Sequence, residues 1–303
     1  MTGSGEKENV DEGAERLATR EYWDSVHRDE RDHGPLEMPG AGGGELAGDS
    51  PAGARRGLLD NHAWEVFWRV LLARHLPRRP GLRALEIGSA PGFNALRFRD
   101  LLGYQPYGLE YSEDGVALNR EVFRRHGLAP EQVIPGDLFD PEVRRPWRES
   151  FGVVTSFGFI EHFTDPREAL VCHLELLEPG GILVVTVPNL RGLYGPGLRL
   201  LAPGVFETHN LEVMKPPVLR RVCEECGVET LYCGYVGTVN LGVISARSGR
   251  LRQACRKGLH RLQAGLNLLL NTASPDRWLP SSGFSPYVAY IGRKPGGASA
   301  PTA

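Results

Sequence analysis

Three carboxylates recur at matched places in this sequence. Glu86 lies in RALEI, two positions before Gly88; Glu110 closes YGLE; Asp137 follows VIPG. Each stands in or just after a short apolar run that reads as a strand. On a sheet of parallel strands such acids converge on the crevice at the strands' carboxyl ends. An acid after the second strand is placed to accept hydrogen bonds from both hydroxyls of a ribose. One after the third can take an exocyclic amino proton of an adenine. Glu110 and Asp137 also stand where helix caps occur, but three acids in one register exceed what capping explains. Two histidines add acid-base chemistry. His162, beside Glu161 in FIEHF, and His209, in FETHN, carry imidazoles that titrate near neutral pH and could take a proton from a hydroxyl. His162 could equally cap the next helix or brace its loop, and Glu207 and Asn210 could be loop-stabilising polar residues.

The turn between the first strand and the next helix narrows the choice of ligand. Gly88-Ser89-Ala90-Pro91-Gly92-Phe93 follows Ala84-Leu85-Glu86-Ile87, and its glycines allow close backbone approach to a ligand. A dinucleotide fingerprint needs G-x-G-x-x-G to seat a pyrophosphate, and here glycine occupies only the first and fifth places. Glu86 beside this turn suits a cation better than a diphosphate. S-adenosylmethionine bears a sulfonium and an ammonium and no phosphate, so the charges favour it over a nicotinamide dinucleotide.

With these pieces in order, residues 83–188 resemble the class I S-adenosylmethionine-dependent methyltransferases, in the small-molecule branch called the methyltransferase 11 or ubiquinone-methyltransferase-like group. The matching stretches are LEIGSAPG, GLEYS, GDLFD, VVTSFGFIEHFTDP and LLEPGGILVVTVPN, about a third of the chain. The resemblance implies that Glu86, Gly88, Ser89, Ala90 and Gly92 shape the methionine end of the cofactor. It implies that Glu110, with Tyr111 next to it, holds the ribose, that Asp137 and Leu138 bracket the adenine, and that Phe157 and Gly158 line the cofactor near its methyl group. Pro179-Gly180-Gly181 would be the turn before the fifth strand. Two departures stand out: Ala90 replaces a third glycine, and Gly152 replaces the acid that usually opens the fourth strand. RNA ribose methyltransferases need a Lys-Asp-Lys-Glu set, whereas Ser156-Phe157 stands here and no lysine lies between positions 8 and 214. Nucleobase-amine methylases carry Asn/Asp-Pro-Pro-aromatic where this chain has Gly158-Phe159-Ile160. The expected reaction is O-methylation of a small molecule (a natural product, sugar or phenol) with His162 or His209 as base. N-methylation of a small amine, a non-catalytic binding protein, and action on a lipid-linked or polyanionic acceptor remain alternatives.

The elements that must position these residues follow from the pattern around them. Strands are predicted near 83–87, 106–110, 132–135, 152–157 and 182–187, and helices near 93–102, 113–126, 142–148, 166–177 and 216–226. This alternation implies right-handed crossovers and a doubly wound, Rossmann-like parallel sheet. Segments 229–236 and 286–292 would complete seven strands as an antiparallel pair. A helix over 15–32 and another after Asp60 or Asn61, carrying Trp64, Phe67, Trp68, Leu71 and Leu72, would cap the domain. The Gly-rich span 34–57 reads as a linker or a loop over substrate. We therefore expect a polar segment at 1–57 and a methyltransferase domain at 58–303, with its core at 83–236 and 285–294 and an insertion at 237–284. Within the insertion, 248–271 reads as an amphipathic helix with Leu251, Cys255, Leu259, Leu262, Leu266 and Leu269 on one side, its other face carrying Arg250, Arg252, Arg256, Lys257 and Arg261 with Arg247 just before it. That face is either solvated or drawn to an anionic acceptor or membrane surface.

Composition sets the outer bounds. A net charge of -2 gives no basic excess for nucleic acid, and no apolar run approaches the ~20 residues of a membrane span. Five irregularly spaced cysteines fit reduced thiols in a cytoplasmic monomer or homodimer. Cys223-Glu-Glu-Cys226 lacks a second pair and falls in a helix, so no metal site is expected.

Overall fold

The strand Arg83–Ile87 (β1) is buried from its second residue onward because it is paired on both sides and covered on both faces. The computed structural model describes residues 15–32, 57–244 and 250–296. Residues 1–14 and the Gly-rich stretch 34–57, except Gly57, lie outside the described residues. Arg247 and the side chains of 250–257, including much of the basic face read above, lie outside them too.

Around β1 stand β2 (Gln105–Glu110), β3 (Val133–Pro135), β4 (Phe151–Phe157), β5 (Leu177–Pro188), β6 (Glu229–Val236) and β7 (Tyr287–Arg293). They form one sheet in the order β3-β2-β1-β4-β5-β7-β6. The first five pair in parallel; β7 runs antiparallel to both β5 and β6. The helices are α1 (Arg20–Asp32), α2 (His62–Val66), α3 (Ala73–His75), α4 (Phe93–Leu102), α5 (Glu113–Arg125), α6 (Pro141–Arg144), α7 (Arg167–Leu176), α8 (Tyr194–Leu201), α9 (Pro216–Glu225) and α10 (Arg250–Ala273). This is a Rossmann-like doubly wound fold with an N-terminal helical cap and a helical insertion before the last strand.

Alternate residues of the strands feed two cores. Leu85, Ile87, Val154 and Val185 face α7 and α9 residues such as Leu170 and Leu219. Ala84, Val153 and Val184 face Trp64, Phe67, Trp68 and Phe98 on the other side. The aromatic stripe of 64–72 is thus core, with Trp68 only 1% exposed, and truncating such a side chain to Ala costs about 3–5 kcal/mol. Asn61, not Asp60, caps α2: its side chain accepts from the Trp64 amide. The helix continues through a π-helical turn, Phe67–Leu72, into α3. Gly152 has a steric reason, since a Cβ there would come within 2.4 Å of Leu82 Cδ1. The residue that departs from the resemblance is therefore fitted to its neighbour.

Two expectations need correction. The helix foreseen at 142–148 is a single turn, Pro141–Arg144, followed by a 3-10 turn at Arg145–Trp147, because Pro146 lacks the amide that would continue it. On α10, the packed face is only partly the leucine stripe: Leu259 and Leu266 are half-buried. Gln263, Asn267 and Asn271 are buried, while Leu262 and Leu269 are 56% and 62% exposed. The amides are buried because they have backbone partners. Asn267 donates to the Leu59 carbonyl at 3.0 Å, Asn271 to those of Leu58 and Asp60, and Gln263 accepts from the Leu241 amide at 2.7 Å. Among the described residues no helix is long and apolar enough to cross a membrane.

Candidate functional site

At the carboxyl end of β1 the chain turns sharply before α4. Gly88 has φ +68°, and a Cβ there would come 3.0 Å from the Phe159 ring, so glycine both permits the turn and makes room for that ring. Gly92 has φ +104°, and a Cβ there would stand 2.3 Å from Asn119 Oδ1. Its requirement comes from α5. The loop is tied to β2: Gly88 and Ser89 donate to the Leu109 carbonyl, and the Ala90 amide donates to Glu110 Oε2 at 3.2 Å. Ser89 is buried and accepts from Asn119.

Glu86 lies beneath this loop, 3% exposed, and is not itself on the cavity wall. Its Oε1 accepts from Asn94 Nδ2 at 2.7 Å, and its Oε2 is buried with no partner. Burial pushes the carboxyl up to about 8, and nearby Glu110 adds to the rise. An unpartnered buried carboxylate oxygen is costly, and a cation placed next to it would remove that cost. Asn94, on the wall, links this carboxyl to the cavity.

The cavity divides into two chambers that share Ala90, Phe157, Gly158 and His162. One runs past Glu110, Tyr111, Asp137 and Leu138. Glu110 Oε1 accepts from the amides of Tyr111 and Ser112, and burial raises its pKa although His27 opposes the rise. Asp137 is held by Arg16, whose guanidinium reaches both carboxylate oxygens at 2.6 and 2.5 Å and sits 5.0 Å from the ring centres of Tyr111 and Phe139. Arg16 is brought here by a β-bridge to Phe163 and by the Leu17 amide donating to the His162 carbonyl. Helix α1 then lies along α5 with Ser112 donating to Asp24, and puts Trp23 and His27 on the chamber's wall.

The second chamber is bounded by Trp64, Phe93, Pro188 and Tyr287, and by Glu161, His162 and His209. The ring centres of His162 and His209 are 4.4 Å apart. His162 Nδ1 lies 2.7 Å from the Thr208 carbonyl oxygen and His209 Nδ1 2.7 Å from that of Val205. A carbonyl only accepts, so each Nδ1 carries the proton and each Nε2 keeps its lone pair. Burial pushes His162 down to about 3, helped by His209, and pushes His209 down to about 4. Both rings are neutral near pH 7. Burial pushes Glu161 up to about 8.

Of the residues singled out from sequence, Gly88, Ala90, Glu110, Tyr111, Asp137, Leu138, Phe157, Gly158 and His162 meet in the first chamber. Ser89, Gly92 and His209 are in the second, and Glu86 lies below. Sequence reasoning missed Arg16, Trp23 and Tyr287, which reach the site from segments with no motif of their own, and Asn94, which directly follows the glycine turn.

Known proteins share this fold. The family profile described as a methyltransferase domain matches residues 61–232. A Mycolicibacterium smegmatis protein described as a probable S-adenosylmethionine-dependent methyltransferase is 30% identical over 177 residues, 57% of this chain. The match spans only 62% of that relative's length. Among solved structures, the [4+2]-cyclase SpnF superposes with a TM-score of 0.58 at 18% identity, covering 94% of this chain and 98% of its own. Geranyl diphosphate C-methyltransferase from Streptomyces coelicolor, solved with S-adenosyl-L-homocysteine, superposes with a TM-score of 0.51 at 13% identity, over 77% and 80% of the two chains.

Proposed function

This chain belongs to the class I S-adenosylmethionine-dependent methyltransferases, and on that premise we propose that it methylates an oxygen of a small, largely apolar acceptor. When bound, the cofactor supplies a methyl carbon made electrophilic by a positively charged sulfur. The residues present fit such a group. Glu86, beneath the wall and linked to it through Asn94, offers a counter-charge to an ammonium held there. Glu110, with three backbone amides already on its oxygens, keeps one lone pair on Oε2 for a ribose hydroxyl, and Asp137 lines the same chamber. Phe157 and Gly158, common to both chambers, stand where cofactor and acceptor would meet.

The observation that carries the acceptor reading is the pair of neutral imidazoles on the second chamber's wall. An acceptor hydroxyl among Trp64, Phe93 and Tyr287 can donate to one Nε2 and so turn an oxygen lone pair towards Gly158. The rings are poor bases at about 3 and 4, so alignment and exclusion of water would carry most of the rate. The free thiols of Cys172, Cys223, Cys226 and Cys233 suit a cytoplasmic setting.

The test is incubation with cofactor and a panel of phenols, hydroxylated natural products, sugars and amines, reading the demethylated cofactor and the mass gained by the acceptor. Transfer to an oxygen acceptor is expected. His209→Ala should slow it about 10²-fold through lost alignment of the acceptor, with cofactor affinity nearly unchanged. Transfer to amines alone, or none with cofactor tightly bound, would overturn the oxygen reading.

A further inference from the structure

We propose that Glu161, His162 and His209 form a binding site for a divalent transition-metal ion, of the zinc, manganese or iron(II) type, in the wall of the acceptor chamber. Each of the three offers a ligand atom, and these atoms lie within 4.8 Å of one another. Two imidazoles and one carboxylate are the donor set of catalytic zinc and non-haem iron sites. They suit such ions better than calcium or magnesium, which take oxygen ligands.

Three independent features support the assignment. The first is orientation: each histidine donates its Nδ1 proton to a backbone carbonyl, at 2.7 Å in both cases. This leaves Nε2 as the free ligand and fixes the ring, the usual outer-shell pattern of metal-bound histidine. The second is an unbalanced acid. Glu161 is 1% exposed, its Oε2 has no hydrogen-bond partner, and among the described residues it makes no salt bridge. A buried carboxylate oxygen with neither donor nor counter-charge lacks what a cation would supply. The third is anchoring of two distant segments to each other. The Asn210 amide donates to the Glu161 carbonyl at 2.6 Å, and the Asn210 side chain donates to the carbonyls of Phe163 and Thr164. Asn210 thus holds His209 against the Glu161-His162 turn. Ligands about 2.1 Å from one ion stand roughly 3 to 3.5 Å apart. Closure around an ion therefore needs side-chain movement of about an ångström.

Three protein ligands leave further positions open, and all three residues line the acceptor chamber. This use of the site rests on the oxygen-acceptor reading above, with the ion in place of a free Nε2 as the hydroxyl's partner. A hydroxyl reaching the ion would be acidified by it and release its proton to solvent. The oxygen lone pair would then form the new bond to the methyl carbon while the carbon–sulfur pair leaves with sulfur. The ion would thereby supply what two weakly basic imidazoles cannot.

The site is tested with cobalt(II) as the probe, titrated into full-length protein in the absence of acceptor. Saturable binding of roughly one ion with visible d–d bands and no thiolate absorption is expected, and His209→Ala and Glu161→Gln should each weaken it about 10- to 100-fold. His209 is half-buried and Glu161→Gln preserves shape, so both variants should fold; their thermal melts check this. Thiolate absorption, or affinity unchanged in both folded variants, would overturn the proposal. Cobalt binding without methylation of any hydroxyl would leave the metal site standing and sink the oxygen-acceptor reading. Chelator-insensitive methylation by a protein that binds no cobalt would do the reverse.

Discussion

Replacing Glu86 with glutamine should move cofactor affinity and protein stability in opposite directions. Burial holds this carboxyl at about 8, so at pH 7 roughly nine molecules in ten carry it protonated. A cationic head held at the wall next to Asn94 favours the carboxylate beneath it, and binding should then expel close to one proton per site. Affinity should accordingly rise up to about tenfold per pH unit towards pH 8. Glutamine cannot ionise. The variant should release no proton at this position and lose a charge-assisted contact of about 1.5–3 kcal/mol, a weakening of roughly 10- to 100-fold. In the cofactor-free protein the sign reverses. The folded carboxyl titrates at about 8 against an ordinary 4.5, so its favourable protonated state is fully present below pH 4.5 and lost as pH rises to 8. At ~1.4 kcal/mol per pH unit that loss approaches about 5 kcal/mol. Glu86→Gln escapes it and should melt higher than wild type at pH 8. Calorimetry in phosphate and in Tris, whose ionisation enthalpies differ, counts the protons, and melting curves at pH 5 and 8 read the stability. Glu161 is also held at about 8, so Glu161→Gln is the control for a second proton source. Wild-type affinity in Glu86→Gln, or proton release unchanged in it but lost in the control, would refute the assignment of Glu86 to the cation.

Arg16→Ala should tighten cofactor binding about three- to tenfold by calorimetry, because both oxygens of Asp137 are engaged by the guanidinium that an adenine would have to displace. Weaker binding would mean that Arg16 holds the ligand instead. Gly92→Ala must adopt φ near +104° with its Cβ against Asn119, which should cost about 2–4 kcal/mol and lower the melting temperature by at least ~5 °C. An unchanged melt would show that α5 yields there at little cost.

The parallel core was legible because each of its strands is a short, largely apolar run, four of the five end at a glycine or an acid, and crossover handedness leaves few ways to order them. Faces of α10 were not. Periodicity reveals that a leucine stripe exists but not what it meets. At this helix the carbonyls of Leu58, Leu59 and Asp60 required donors, so Asn267 and Asn271 turned inward and Leu262 and Leu269 outward. Polar satisfaction outweighed apolar stripe, since a buried carbonyl without a donor costs more than an exposed leucine.

The site divides along the same line. Glu110 and Asp137 could be read from sequence because each is fixed to a strand end by local chain, and the sheet then brings the ends together. Glu86 was legible as an acid but misjudged in depth: it points beneath the loop, and Asn94 stands between it and the cavity. The histidines were visible one at a time, but the orphaned oxygen of Glu161 was not. It arises only when the 160–164 turn meets the segment around Asn210. Arg16 is the extreme case. An arginine in a polar leader has no pattern to distinguish it from a solvated one. It acquires a role only where the bridge to Phe163 sets it between two rings and opposite a carboxylate. Local chemistry marked where a ligand would be held; contacts between segments far apart in the chain decide what stands in its way.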